Sequence, residues 1–356
     1  MLLDGVHIPL TTPFYPDGRV YLRKLEHNVR RYSLTPVSGL AALTSISETE
    51  SLSDAERREV LDTVGREAAA DKVLLAGVGL PGVRESIALA QAASQAGFDA
   101  VLVAAKPAYV PLRLQHGRST PELQTYFAAI ADGSPLPVVL ASGAGERALP
   151  LDLVERLGSH PNVLGVLEQA AHISRVAQLR QQAASVRRTV TVTPTFTAVT
   201  GRMLRRAAPT AAVTSGTFVS AESLTGGIAL ATAPPVAALK TRTKEVSLQV
   251  LWGSAADATE ALRAGAGGFL QPIAAAVPQA AFEVWAAYKD GSHSIIAEKQ
   301  GRLAAAEQGI PPWDIAAIKA GSELSGYAGG RPRLPLLPVL AERQQQIADL
   351  LRTMRA

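Results

Sequence analysis

The chain has 356 residues and a mass of 37.3 kDa, with 47% hydrophobic residues, no cysteine and a net charge of +4. This composition suffices for a large core, and the lack of cysteine excludes disulfides, thiolate metal sites and a cysteine nucleophile. No segment reaches the roughly 18 apolar residues of a membrane span, and the first residues lack the basic and apolar regions of a secretory signal, so we expect a cytoplasmic protein.

Short apolar runs alternate with segments of helical periodicity through the first half of the chain. The predicted strands are Gly5 to Thr12, Gly39 to Thr44, Lys72 to Gly79, Ala100 to Ala105, Pro137 to Ser142 and Asn162 to Glu168. Between them, apolar residues recur at helical spacing, and Ser53 with Glu56 forms a capping box that opens one of the helices. Strands that alternate with helices in this way predict a parallel sheet with crossover helices.

The alternation stops after a helix predicted over Ile173 to Ala184. It resumes with a strand at Leu248 to Gly253, a helix at Ala255 to Ala264 and a strand at Gly268 to Ile273. The tail is predicted as four helices, over Val277 to Tyr288, His293 to Glu307, Trp313 to Leu324 and Leu337 to Met354. We therefore predict a (β/α)8 TIM barrel over residues 1–290, an insertion over 186–246 between strands 6 and 7, and C-terminal helices over 291–356 packed on the barrel.

The insertion is strongly basic. It holds eight Lys and Arg residues against two Glu, a net charge of +6, so the rest of the chain is −2. Strands are predicted at Thr189 to Thr197 and Ala212 to Val219, and a helix at Pro234 to Val246. We expect a unit that projects from the barrel and serves homo-oligomer contacts or an anionic partner, with a merely solvated face as the plain alternative.

Several motifs in order along the chain resemble the dihydrodipicolinate synthase and N-acetylneuraminate lyase family. They are GVHIPLTTPFYPDG at Gly5 to Gly18, SETESLSDAE at Ser47 to Glu56, the third strand at Leu75 to Gly79, the fourth strand and loop at Asp99 to Pro111, and NVLGVLE at Asn162 to Glu168. The resemblance implies a TIM barrel that forms a Schiff base between a lysine and pyruvate. It also covers nearly the whole chain apart from the insertion.

Several positions that the resemblance assigns to catalysis carry other residues here. Leu167 stands at the place of the Schiff-base lysine, Ala141 at that of the proton-shuttling tyrosine, and Ile46 at one of two threonines that hold the substrate carboxylate. Schiff-base formation needs an unprotonated amine beside the substrate carbonyl, which leucine lacks. The family's arginine aligns with Glu146, although Arg147 can serve if the loop shifts by one residue.

Two functional hypotheses stay open. The first is a degenerate barrel, a pseudoenzyme, that binds a small carboxylate or 2-oxo acid or acts as an assembly partner. The second is a divergent lyase or aldolase acting on a 2-oxo acid or sugar acid, with Lys106 and Tyr109 as catalytic candidates after the fourth strand. The substrate-binding candidates for either hypothesis are Ser45, Glu48, Ser142 and Glu168. Glu48 and Glu168 match positions of the family, but they lack neighbouring catalytic partners, so we expect them mainly as structural acceptors.

The remaining predictions concern cofactors and partners. The six histidines lack metal-ligand spacing, so we expect no metal, and nothing in the sequence calls for a cofactor. We expect a homo-oligomer, a dimer or tetramer, with no membrane contact. We expect no nucleic-acid partner either, because the basic insertion lacks aromatic residues interleaved for base stacking.

Overall fold

The computed structural model describes residues 1–105, 121–169, 172–207, 239–309 and 313–354. Its strands are β1 Gly5–Pro9, β2 Gly39–Ala42, β3 Val73–Gly77, β4 Ala100–Ala104, β5 Val138–Ser142, β6 Val163–Glu168, β7 Arg188–Val192, β8 Arg242–Val246, β9 Gln249–Trp252 and β10 Gly268–Phe269. Eight of them form a closed parallel barrel in the order β1, β2, β3, β4, β5, β6, β9, β10, and β10 pairs with β1. The predicted (β/α)8 fold is confirmed.

Each barrel strand is buried on both faces, which explains its near-continuous apolar sequence. In β6, Leu164 and Leu167 point into the barrel and join an interior cluster with Leu75 of β3. Val163 and Val166 point outward and belong to the larger core between strands and helices. The barrel interior is therefore a packed core and not a channel.

Most of the helices surround the barrel, whereas the seventh lies in the insertion. The helices are α1 Leu22–Ser33, α2 Asp54–Glu67, α3 Val83–Gln95, α4 Pro121–Gly133, α5 Leu151–Gly158, α6 Ser174–Gln182, α7 Gly201–Ala207, α8 Ala258–Arg263, α9 Pro278–Lys289, α10 His293–Gly309, α11 Ile315–Leu324 and α12 Ala341–Thr353. The predicted capping box opens α2: Glu56 N donates to Ser53 Oγ at 3.2 Å, and Ser53 N donates to Glu56 Oε2 at 2.8 Å. Both donors would otherwise lack an intrahelical partner.

The C-terminal helices pack on the barrel through buried groups. Leu303 of α10 and Ile318 of α11 are fully buried in the outer core. Tyr32 of α1 stacks on Tyr327 with ring centres 3.9 Å apart, and its hydroxyl donates to Ala275 O at 2.5 Å. Helices α10 and α11 thereby stand close to the carboxyl ends of the strands, where TIM barrels carry their sites.

The described ends of the insertion, 186–207 and 239–246, pack against the amino end of the barrel. Strands β7 and β8 pair antiparallel, and Val190 and Val192 bury their side chains against Leu2. Thr200 and Arg202 are buried, and Gly201 N donates to Asp99 Oδ1 at 3.0 Å. These contacts place the described ends of the insertion against the barrel, on the side opposite its mouth. The middle of the insertion, 208–238, lies outside the described residues.

The secondary structure predicted for the insertion is correct only in part. The strand expected at Thr189 to Thr197 is β7 over its first half, and a turn follows it. The helix expected at Pro234 to Val246 is wrong at its end, where β8 lies, because β8 completes the hairpin with β7. The strand expected at Ala212 to Val219 falls outside the described residues.

Among the described residues, no helix is both long and apolar enough to cross a membrane.

Candidate functional site

A cavity of about 660 Å³ opens at the carboxyl ends of the barrel strands. The lining residues that belong to the barrel strands are Pro9, Gly77, Leu102, Ala104, Ala141 and Leu167. None of these six has a polar side chain. Leu270, directly after β10, extends the same surface, and with Leu102 and Leu167 it forms the top of the interior cluster. We call these three residues the leucine floor.

Polar side chains of the lining lie higher, in the loops after the strands, and three of them matter for binding. They are Ser45 after β2, Arg147 after β5 and Gln169 after β6. Gly143 N donates to Arg147 O at 3.1 Å, and Gln169 N donates to Ser142 O at 3.1 Å. These two backbone hydrogen bonds fix Arg147 and Gln169 on neighbouring turns of the rim.

A glycine after β9 makes room for Gln169. A Cβ atom at Gly253 would lie 2.5 Å from Cγ of Gln169, closer than carbon atoms approach in proteins. The lack of a side chain at this position lets Gln169 lie over the end of β9. Gln169 thereby lines the cavity beside Gly253.

Helix α10 contributes Glu307 to the lining. Its Oε2 accepts hydrogen bonds from Ala256 N at 2.7 Å, Ala255 N at 2.9 Å and Ser254 Oγ at 3.1 Å. Charge-assisted bonds of this kind are the strong ones in proteins. Glu307 therefore anchors the last turns of α10 to the loop after β9 and completes one wall of the cavity.

The loop after β2 is held from behind by the C-terminal helices. Glu48 adopts a left-handed backbone with φ of 55° and is buried. Its carboxylate forms an ion pair with the fully buried Lys319 of α11 and accepts from Arg333 N at 2.7 Å. Burial lowers the pKa of Lys319 to about 8, while the charge of Glu48 opposes that shift. This pair fixes the turn that presents Ser45 and Ile46 to the cavity.

A second buried carboxylate lies behind the opposite wall. Glu168 is fully buried and accepts from Ser142 Oγ at 3.0 Å and from Nε and Nη2 of Arg175 at 3.1 and 3.0 Å. Arg175 also donates to Leu149 O at 2.6 Å. The network joins the ends of β5 and β6 to the start of α6, and a carboxylate so fully bonded is a structural acceptor.

The structure brings together only some of the predicted site residues. Ser45, Ile46, Ala141 and Leu167 line the cavity. Glu48, Ser142 and Glu168 lie behind the wall in the two networks just described, where the carboxylates of Glu48 and Glu168 accept hydrogen bonds from the protein. Lys106 and Tyr109 fall outside the described residues, as does the side chain of Glu146.

Gln169, Glu307 and Trp313 line the cavity and were not among the predicted site residues. Gln169 was recognisable in principle, since it lies two residues beyond Leu167 and so points to the same side of the strand. Glu307 and Trp313 belong to the C-terminal helical region, and no local motif indicates that they return to the barrel mouth. Arg147 lines the cavity, as the one-residue loop shift considered above requires.

Comparison with known proteins places this geometry in a family. Residues 2–189, just over half of the chain, match the model of the Dihydrodipicolinate synthetase family. The chain belongs to this family. A 4-hydroxy-tetrahydrodipicolinate synthase from Xanthomonas axonopodis pv. citri (strain 306) is 34% identical over 181 residues, which are 50% of this chain and 58% of that protein. A synthase of the same name from Neisseria meningitidis serogroup C (strain FAM18) is 27% identical over 184 residues, 51% of this chain and 61% of that protein.

Thus the chain spans about three fifths of the length of these curated relatives. Solved structures match over a longer range. A dihydrodipicolinate synthase from Bacillus anthracis has a TM-score of 0.73 at 18% identity, with 99% of each chain covered. A protein from Clostridium difficile, solved in complex with mannosamine, has a TM-score of 0.71 at 16% identity, again with 99% of each chain covered. At these identities the structural likeness shows the fold alone.

Proposed function

We propose that this member of the dihydrodipicolinate synthetase family binds a small carboxylate at the barrel mouth without forming a Schiff base there. The observation that carries the proposal is the apolar ring of strand residues around the cavity. By the family resemblance, Leu167 and Ala141 take the positions of the lysine and the tyrosine. Without an amine and a proton shuttle, an aldol reaction of pyruvate has neither its nucleophile nor its acid and base.

Arg147 supports the binding part of the proposal. It is exposed, lines the cavity and forms no ion pair with another described side chain. A guanidinium suits a carboxylate because its planar N–H groups match the two carboxylate oxygens. Ser45 and Gln169 add a hydroxyl and an amide on the same rim.

The test is borohydride reduction of the purified protein in the presence of pyruvate, followed by intact-mass measurement. We expect no added mass, and no turnover in a coupled synthase or lyase assay. Leu167→Lys is the positive control for trapping. An amine in the apolar surroundings of the leucine floor has a lowered pKa and is therefore unprotonated more often, so we expect it to form an adduct. We expect no turnover from this variant, since Ala141 supplies no proton shuttle. An adduct with the unaltered protein would refute the proposal.

One observation keeps a second function in view. Ala104 and Ala105 line the cavity, and Lys106 follows them directly in the chain. A divergent lyase that used Lys106 would give a borohydride adduct with a 2-oxo acid or aldehyde, and peptide mapping would locate it. Lys106→Ala would abolish this adduct, whereas Lys72→Ala, at a lysine on the amino side of β3, would leave it unchanged.

A further inference from the structure

The described strand residues that line the lower part of the cavity have apolar side chains. Leu102, Leu167 and Leu270 are almost completely buried and continue into the interior core. Ile46 on one side and Trp313 on another extend this apolar surface upward. A polar group placed there would lose its hydrogen bonds to water and gain none from the described lining.

Small residues make this apolar region wide. Gly77 and Gly79, then Ala104 and Ala105, then Ala141 follow one another around the wall from β3 to β5. Cavities between about 300 and 1,000 Å³ hold ligands of drug size. The volume of about 660 Å³ therefore suits a molecule with a substantial body, larger than a three-carbon acid.

The charges of the described lining select the polar end of that molecule. Arg147 is the cation of this lining, while Glu50 and Glu307 contribute carboxylates. The Glu307 carboxylate already accepts three hydrogen bonds. One guanidinium pairs with one carboxylate, and the Glu307 carboxylate repels a second one, so the described lining favours a ligand with a single negative charge over a dicarboxylate.

We infer that the cavity accepts an amphipathic monocarboxylate, whose apolar body lies on the leucine floor and whose carboxylate pairs with Arg147. This inference rests on the proposed function and names its ligand class. Each methylene group that enters the floor region is expected to tighten Kd about fourfold, until the chain fills the cavity. Replacing the carboxylate by a hydroxyl removes the pairing with Arg147 and weakens binding about tenfold or more.

The experiment is isothermal titration calorimetry of the full chain with butanoate, hexanoate, octanoate and phenylacetate. Hexan-1-ol serves as the uncharged comparison, and pyruvate and succinate as the short and doubly charged ones. We expect one site per chain, Kd falling along the straight-chain series, and succinate as the weakest acid. A Kd that stays flat or rises with chain length overturns the inference.

Three variants connect the affinity to the named residues. Arg147→Gln should remove the preference for hexanoate over hexanol, whereas Arg156→Gln, at an exposed arginine of α5 outside the cavity, should retain it. Leu167→Gln should abolish the dependence on chain length. If that variant fails to fold, Ala141→Leu replaces it and should exclude octanoate while admitting butanoate.

The outcomes separate the inference from the proposed function. Tighter binding of pyruvate than of octanoate, without a borohydride adduct, overturns the inference and leaves the carboxylate-binding barrel standing. A borohydride adduct overturns the proposed function itself. Octanoate binding that Arg147→Gln and Leu167→Gln leave unchanged places the molecule elsewhere and overturns the inference.

Discussion

Lys319→Met tests whether the C-terminal helices hold the loop after β2 through one buried charge. Lys319 is fully buried, pairs with Glu48, donates to Arg331 O at 3.0 Å and lies 4.4 Å from the ring centre of Phe14. Methionine keeps the length and the contact with the ring but removes the ammonium. The Glu48 carboxylate then stays buried with the single hydrogen bond from Arg333 N.

Removing one partner of a buried pair costs about 3 to 5 kcal/mol, because the other charge loses its compensation. The free energy of unfolding of Lys319→Met in urea should fall by this amount. Burial is the largest cause of the lowered pKa of Lys319, so the environment penalises the ammonium. The double variant with Glu48→Gln should therefore regain much of the loss, and a double-mutant cycle measures that recovery.

The matched control is Lys299→Met, because Lys299 forms a partly exposed pair with Glu283 between α10 and α9. Such a pair contributes about 0 to 1 kcal/mol. If Lys319→Met costs no more than this control, the reasoning about the buried pair is refuted. If the loss of stability in the double variant equals the sum of the losses in the two single variants, the coupling between Lys319 and Glu48 is refuted.

Three further predictions concern buried groups elsewhere. Burial lowers the pKa of His7 from 6.5 to about 4. Above pH 6.5 this shift does not affect stability. As the pH falls towards 4, the unfolded chain binds a proton that the folded chain does not, so the free energy of unfolding falls by up to about 3 kcal/mol. Urea titrations at several pH values should show this for the native protein and the His27→Asn control, and a much flatter profile for His7→Asn. Arg202→Met should lower the free energy of unfolding by about 2 to 4 kcal/mol, because it leaves buried carbonyl groups at the amino end of the barrel without a donor. The control Arg205→Met, at an exposed arginine, should lower it by under about 0.5 kcal/mol. Equal losses in urea or thermal unfolding would contradict the assigned packing. Glu307→Ala should speed amide exchange at Ala255 and Ala256 at least about tenfold, and Glu307→Gln should have a smaller effect. Unchanged exchange in both variants would show that the loop after β9 does not depend on this anchor.

The barrel was predictable because its signals are local and repeated. Each parallel strand is buried on both faces, so it appears as a short apolar run, and the predicted runs contain the eight observed strands. The capping box of Ser53 and Glu56 was equally readable, because both partners lie within one turn of helix. The position of Leu167 at the barrel mouth follows from the same strand pattern.

The packing of the insertion was not predictable from its charge. Its arginines suggested a solvated or projecting surface, yet Arg188 donates to Gly158 O at 2.7 Å and His160 O at 2.8 Å. Arg202 donates to Gly97 O at 2.8 Å. These carbonyl groups end helices and turns at the amino side of the barrel, where unpaired acceptors attract guanidinium groups. A count of charges contains no information about such acceptors.

In the candidate site, too, some positions are readable from the local sequence and others only from the folded chain. Ala141 lies in β5 and lines the cavity, and the alternation of side chains along a strand makes such a position readable from the sequence. Glu48 and Glu168 are also next to strands, yet their carboxylates face backward to Lys319 and Arg175. Those partners are seven residues away in one case and more than 250 in the other, and the pairing emerges only in the folded chain.

The insertion separates two neighbouring barrel strands by a long stretch of chain. β6 ends at Glu168 and its partner β9 begins at Gln249, although Leu167 and Leu251 lie opposite each other in the sheet. At synthesis rates of roughly 5 to 20 residues per second, the intervening segment takes about 4 to 16 s to emerge from a ribosome. During that interval the edge of β6 has no strand to pair with, and unpaired edges promote association between chains. The timing of β9 during synthesis therefore sets how long the nascent protein is exposed to misassembly, whatever the finished barrel binds.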